Sequence, residues 1–341
     1  MTQQPHHSPT NDHQIQTIAQ AEQSIVQPAQ QSSSTIKIAV IGDVHNCWDA
    51  DDAIALKHLG VDLVLLVGDF GNESVEVVRS IAGMAMPKAA VLGNHDAWYS
   101  ATEWGIKKCP YDRTKEDRVQ QQLDLLGEAH VGYGKLDFPA LNLTVVGSRP
   151  FSWGGSEWKN TNAFYASRYG ITSFAESTDR IVQVASSSAL DTVIFLGHCG
   201  PKGLGDRAED ICGKDWSPPG GDHGDPDFAE AIEATRSLGK AVPLVAFGHM
   251  HHQLRHTKQQ QRVPIFATNG TIYLNAASVP RIVKTDTNCL RNFSLVTLQA
   301  NSVAQASLVW LDQSLTLVSE TVLYRDETTS SQPHQNHEAA V

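Results

Sequence analysis

The sequence predicts a mixed α/β domain with two β-sheets. Three observations carry this: short β-branched runs alternate with helical segments through the first two-thirds of the chain, consecutive strands follow His251, and the early strands run into glycine plus a polar residue. Residues 36–41, 63–67 and 89–92 read as buried strands. Asp49 can cap a helix that ends near Gly60, and residues 74–82 have helical spacing, so the chain opens βαβαβ. Residues 143–146, 192–196 and 244–247 read as further buried strands. After His251 come strands at 263–267, 271–275, 293–298, 307–311 and 316–323, the first two joined through the turn pair Asn269 and Gly270. These late strands predict a second, largely antiparallel sheet, and there is no repeat of solenoid period.

The 341 residues, 41% apolar and 18% charged, suffice for one large domain at about 35–325. Residues 1–34 are rich in Gln, Ser, Pro and His and hold no Lys or Arg, so they are expected to form a disordered tail, as are residues 326–341. A net charge of −11 argues against a general nucleic-acid or anionic-membrane surface, which clustered basic residues would provide. Any polyanion must then be met locally by bound cations. The five cysteines, at 47, 109, 199, 212 and 289, are odd in number and lack paired zinc spacing, so free thiols in a reducing compartment, by default the cytoplasm, are expected. No apolar run approaches the roughly 18 residues of a membrane span, and the chain start reads as neither secretory leader nor transit peptide.

The polar residues fall where the strands end. The first three strands run into Gly42-Asp43-Val44-His45-Asn46, Gly68-Asp69 and Gly93-Asn94-His95-Asp96. Three later strands run into Gly147-Ser148-Arg149, Gly197-His198 and Gly248-His249-Met250-His251. Ligands of open α/β sheets bind beyond the carboxyl ends of strands, and each glycine lets the backbone turn there, so these side chains converge on one edge. In extended chain Asp43 and His45 share a side, as do His249 and His251, while His252 points elsewhere. Carboxylate, carboxamide and imidazole together suit manganese, iron or zinc better than calcium, and two adjacent metals need a bridging carboxylate, for which Asp69 is the candidate.

At these residues the chain resembles the calcineurin-like metallophosphoesterase superfamily, whose pattern is Asp-x-His, Gly-Asp, Gly-Asn-His-Asp/Glu, a lone His and Gly-His-x-His, here over residues 36 to about 283. The resemblance implies a four-layer αββα sandwich of two mixed β-sheets flanked by helices. It implies that Asp43, His45 and His251 hold one divalent metal, that Asn94, His198 and His249 hold the other, that Asp69 bridges, and that His95 stands beside the leaving group. Taken alone each motif has an ordinary explanation, since Gly-Asp is often a turn and a lone histidine is more often a satisfied core residue. Their joint occurrence points to a metal site. Metal-bound hydroxide would then hydrolyse a phosphate ester, with His95 protonating the departing oxygen. Asp96 is adjacent to His95, whereas in several relatives an acidic residue three places after the bridge orients this histidine; here that position is Asn72.

Substrate class must come from the surroundings. Phe70-Gly71-Asn72-Glu73 replaces the Val-Asp-Arg-Gly of Ser/Thr protein phosphatases, which argues against that branch; the general composition is compatible with the uncharacterised cyanobacterial and plastid branch. Three long connections, 97–140, 150–191 and 200–241, are expected to shape the pocket. The first two carry aromatics, among them Trp98, Trp104, Trp153 and Trp158, which can stack a base or simply pack the loops. Arg149 and Arg168 are candidates to grip phosphate, against the ordinary reading of structurally paired arginines. Asp222, His223, Asp225 and Asp227 look metal-like but lie in a Gly/Pro-rich stretch that reads as a solvated turn. The expected substrate is a small phosphorylated molecule or nucleotide, monoester or diester; a nuclease and a non-catalytic scaffold are the alternatives, a nucleic-acid polymer and a membrane are not expected partners, and oligomeric state is left open. Deleting residues 1–34 is expected to leave melting temperature and catalytic rate nearly unchanged; a marked loss of either would mean that the segment docks.

Overall fold

The computed structural model describes residues 1–2, 35–158 and 160–327, so the expected tails, with His6, His7 and His13, lie almost wholly outside the described residues. Strands β1 (Ile36–Ile41), β2 (Leu63–Leu66) and β3 (Lys88–Ala90) run parallel, joined through helices α1 (Ala50–His58) and α2 (Val75–Ala82). Asp49 caps α1 by accepting from the Asp51 N–H, and Asp52 accepts from the Asp49 N–H in return, which closes a capping box.

The long connections are not structureless. The first contains α3 (Glu103–Lys107), α4 (Arg118–Leu126) and a strand the sequence reading missed, β4 (Lys135–Phe138), before β5 (Leu143–Gly147). The second contains α5 (Asn162–Tyr169) and α6 (Phe174–Ser186), and β6 (Thr192–Leu196) follows. Ser173 caps α6, its hydroxyl accepting from the Glu176 N–H at 3.3 Å. The third connection contains α7 (Pro226–Ser237), with proline in its first turn, and leads to β7 (Ala241–Phe247).

The late strands correct the sequence reading. They do not build a sheet of their own. Strands β8 (Ile265–Thr268) and β9 (Thr271–Asn275) form the expected hairpin, with Asn269 and Gly270 both at positive φ, and β9 then pairs parallel with β7. Strands β10 (Ile282–Lys284), β11 (Cys289–Gln299), β12 (Ser302–Leu311) and β13 (Leu317–Arg325) instead join the first sheet, with β11 antiparallel to β1. The sheets thus run β13-β12-β11-β1-β2-β3, with β10 beside β11, and β4-β5-β6-β7-β9-β8, and both are mixed.

Period-two alternation makes the layers. Ile38, Val40, Leu63 and Leu65 of one sheet pack with Val145, Ile194, Leu196, Leu244 and Leu274 of the other. Their neighbours along the strands face the helices: Ala39, Ile41, Val64 and Leu66 belong with Leu56, Val78 and Ile81, and Phe195 and Val245 with Ile181, Phe228 and Ile232. The result is the four-layer αββα sandwich, and it brings the carboxyl ends of β1, β2, β3, β6 and β7 to one rim.

Candidate metal centre and active site

Beyond those strand ends the backbone is bent into uncommon conformations. Asp43, His45, Asp69 and His249 have φ of 49°, 43°, 55° and 68°, a region that costs a non-glycine residue free energy unless its surroundings hold it. Here the hold is a set of backbone bonds between successive turns: the N–H of Asp43 donates to Gly68 O and that of His45 to Asp69 O, at 3.2 and 2.8 Å. The chain is therefore not extended at these ligands, as i, i+2 spacing had suggested. His249 and His251 turn to different ligand sets, and His252 points away, bonded to the Asn275 carbonyl.

The candidate ligands form two sets around one carboxylate. In the first, His251 Nε2 lies 3.4 Å from Asp43 Oδ1 and 3.2 Å from His45 Nε2. In the second, Asn94 Oδ1 lies 2.9 Å from both His198 Nε2 and His249 Nδ1. Asp69 stands between, with Oδ1 3.3 Å from His198 Nε2 and Oδ2 3.9 Å from His45 Nε2. The sequence-derived ligands Asp43, His45, Asp69, Asn94, His198, His249 and His251 thus all meet at one place.

The electrostatics fit a cation. Asp43 Oδ1 is buried with no hydrogen-bond partner among the described residues, and imidazole nitrogens crowd one another at 3.2 Å. Burial, and then the charge of Asp43, push the Asp69 carboxyl well up. Burial would also raise Asp43, but His251 and the other imidazoles hold it below the usual carboxylate range. Burial and His198 depress His249. Positive charge placed among the donors would satisfy the orphaned Asp43 oxygen and bring Asp69 back to its charged form, and a His249 kept neutral has a lone pair to offer it. Cys199 is no ligand in this arrangement: its thiol, pushed well up by burial, donates to the Ser152 carbonyl.

His95 sits at the rim, Nε2 3.9 Å from Asp69 Oδ2. Its orienting partner is Asn72, whose Oδ1 is 2.5 Å from His95 Nδ1, and its ring stacks on Trp98 with centroids 4.3 Å apart. Asp96 does something else. Its carboxylate accepts from the backbone N–H groups of Asp69, Phe70 and Gly93, so it ties the second and third ligand turns together. Burial and the neighbouring imidazoles lower His95 to about 3.

The family model of calcineurin-like phosphoesterases matches residues 36–253, more than half of the chain. The chain belongs to this family. A symmetrical bis(5'-nucleosyl)-tetraphosphatase of Mannheimia succiniciproducens is 36% identical over 74 residues, 20% of this chain and 27% of that protein, so the match spans only about a quarter of that relative's length. Among solved structures, a dimetal phosphatase from Danio rerio aligns with TM-score 0.42 at 12% identity, covering 85% of this chain and 99% of its own. A metallophosphoesterase from Sphaerobacter thermophilus aligns with TM-score 0.33 at 14% identity, over 78% and 87% of the two chains. Among the described residues of this phosphoesterase-family chain, no helix is long and apolar enough to cross a membrane.

A pocket of about 280 Å³ opens over Asp69, Asn94, His95 and the histidines, walled by Trp98, Trp153, Trp216, His223 and Arg255. A wider cleft of about 1000 Å³ shares the Trp153, Trp216 and His223 wall. Trp153 stacks on Trp98 at 5.2 Å and lines the pocket over the candidate ligands. Trp158 does not; it packs on Tyr165, Phe174 and the Arg149 guanidinium.

The two arginines proposed to grip phosphate are committed elsewhere. Arg149 is buried, with Nη2 2.6 Å from Asp225 and Nε 2.9 Å from Asp227, so the aspartates that looked metal-like neutralise it. Arg168 pairs with Asp117 at 2.9 Å and does not line the metal pocket. Asp222 accepts from the N–H groups of Gly203 and Gly224, the turn role expected, and His223 bonds the Trp153 carbonyl. Trp216 and Arg255 were not identified from sequence, and Asn72 was noted there only as standing where several relatives carry an acid.

Gly93 has φ −94°, which alanine adopts freely, so a substitution there is purely steric. Its Cβ would overlap Asp69 Oδ1 and approach His198 to 2.6 Å. Gly93→Ala is expected to lower stability by about 1–3 kcal/mol and to reduce bound metal after dialysis by about 10-fold, read by elemental analysis. Undiminished metal content would separate Asp69 and His198 from the metal.

Proposed function

We propose that the protein is a two-metal phosphoester hydrolase acting on a small phosphorylated molecule, with nucleotides the leading candidates. The observation that carries this reading is the Asp69 carboxylate, whose two oxygens face separate ligand sets. Asp43, His45 and His251 would hold one cation and Asn94, His198 and His249 the other, with manganese, iron or zinc suited to such mixed donors. When bound, divalent cations supply Lewis acidity, which activates water and offsets the charge of phosphate oxygens.

The chain's own residues do the rest. Asn72 accepts from Nδ1–H and Trp98 stacks on the ring, so Nε2 is left to face the oxygen that departs. To give that oxygen a proton, His95 must first be protonated at Nε2, which the charge of a bound phosphate would favour against the burial and imidazoles that lower its pKa. Trp98 is already stacked between His95 and Trp153, so Trp153 and Trp216 are the rings that offer stacking faces to an aromatic group, and the partial likeness to a nucleotide phosphatase supports a base there. The net charge of −11 weighs against a nuclease, which would track a polymer with basic residues. A scaffold would have no physical need for the seven convergent ligands.

Asp69→Asn is expected to lower manganese-dependent hydrolysis by more than about 100-fold together with metal content, since a carboxamide bridges two cations poorly. His95→Ala is expected to keep its metal yet lose about 100- to 10,000-fold with alkyl esters, and much less with nitrophenyl esters. Full activity of the metal-free protein would refute the proposal.

The aromatic wall has its own test. Trp153→Ala is expected to weaken nucleotide binding by about 1–3 kcal/mol while sparing nitrophenyl phosphate and melting temperature. Trp158→Ala is expected to cost about 3 kcal/mol of stability and to harm all substrates alike. The reverse pattern would take the base away from Trp153.

A further inference from the structure

Resting on the proposed hydrolysis, the metal pocket also speaks to substrate charge. Among the described residues lining it, Arg255 is the one arginine or lysine. Its guanidinium makes no hydrogen bond or ion pair within the described residues; it lies over the Trp216 ring, Cζ 5.6 Å from the centroid. Arg149 and Arg168 are both neutralised by aspartates, so neither competes for the role.

The surroundings explain why Arg255 is free. The nearby carboxylate of Asp215 accepts the Arg255 backbone N–H at 3.0 Å, while its charge is met by Arg262 at 3.2 Å. Arg262 in turn donates to the carbonyls of Ala208, Gly213 and His251, which binds the Arg255 segment to the metal-ligand turn. One carboxylate therefore fixes the Arg255 backbone without capturing its side chain. Trp216 meets the His223 ring edge-on at 4.7 Å, and His223 lies parallel to the ligand His249 at 6.1 Å. A chain of rings thus sets the cation at the rim of the metal centre.

We infer that Arg255 is a phosphate-binding residue that selects dianionic, terminal phosphate over the phosphodiester. A diester has two non-bridging oxygens and a terminal phosphate three; were two of them met by the cations that Asp43, Asp69 and the imidazoles would hold, only the terminal phosphate would keep one for a guanidinium. A flat guanidinium backed by an indole suits this, because its planar donors match phosphate oxygens and the ring limits its conformational freedom.

The test uses the full chain loaded with manganese. Arg255 is exposed, so Arg255→Gln should keep the melting temperature and metal content of the unaltered protein. KM for p-nitrophenyl phosphate is expected to rise about 10-fold or more with kcat within about twofold, and calorimetric affinity for inorganic phosphate to fall by a similar factor. The loss with bis(p-nitrophenyl) phosphate should be far smaller, so that monoester-over-diester selectivity drops about 10-fold; Arg255→Lys should restore part of it as a point charge. Equal losses for both esters, or phosphate bound as tightly by Arg255→Gln as by the unaltered protein, would overturn the assignment while leaving the hydrolase reading intact. Unaltered, metal-loaded protein that cleaves neither ester would instead overturn that reading and this inference with it.

Discussion

The structure is organised around two buried carboxylates without a basic partner. Elsewhere in this protein a buried aspartate meets an arginine: Asp52 meets Arg281 and Arg291, Asp215 meets Arg262, and Asp225 and Asp227 meet Arg149. Asp96 meets three backbone N–H groups instead. Asp43 and Asp69 meet no arginine; each accepts a single backbone N–H, from His249 and His95, and is otherwise surrounded by imidazoles. Uncompensated charge in such a place costs several kcal/mol, a cost that a cation held between these two acids would offset.

That choice dictates the local backbone. Seven donors from five strand ends can reach one point only if the turns are tight and the rims of the sheets nearly touch. Gly248 leaves room for the Asp43 carboxylate, and Gly68 for the backbone of Gly93, where a Cβ would collide in each case. The positive φ of four ligands is the conformational cost, offset by the turn-to-turn hydrogen bonds and by Asp96. Asp96 therefore matters to the metal centre through the backbone, although it is not placed to touch a substrate.

What sequence could reveal follows the range of the interactions. The convergence of the candidate ligands was legible because their segments each follow a β-branched run and a glycine, a local signal; their division between two metals came from the family pattern and stays a proposal. The pairing of the late strands was not legible, since alternation tells which face a residue occupies and not which strand lies beside it. The arginines failed for a related reason: Arg149 is claimed by aspartates 76 and 78 residues further on, beyond any local pattern. Asn72 was noted as a departure from an acid, yet its contact with His95 spans 23 residues and shows only in three dimensions. Trp153 and Trp158 share one aromatic segment, but one faces the pocket and the other packs inward.

The same geometry resolves an apparent conflict between an acidic chain and an anionic substrate. The net charge of −11 is spread over the whole sequence, whereas the carboxylates at the pocket are few and each is already answered by imidazoles, by a backbone N–H or by Arg262. Two divalent cations set against Asp43 and Asp69 would leave a locally positive centre, and Arg255 adds to it at the rim. Within about a Debye length, roughly 8–10 Å at ordinary ionic strength, this local field outweighs the distant surface charge. An extended polyanion would lie mostly outside that radius and meet the acidic surface, whereas a small phosphate ester would lie inside it. On the proposed two-metal reading, the charge pattern thus favours compact substrates over polymers.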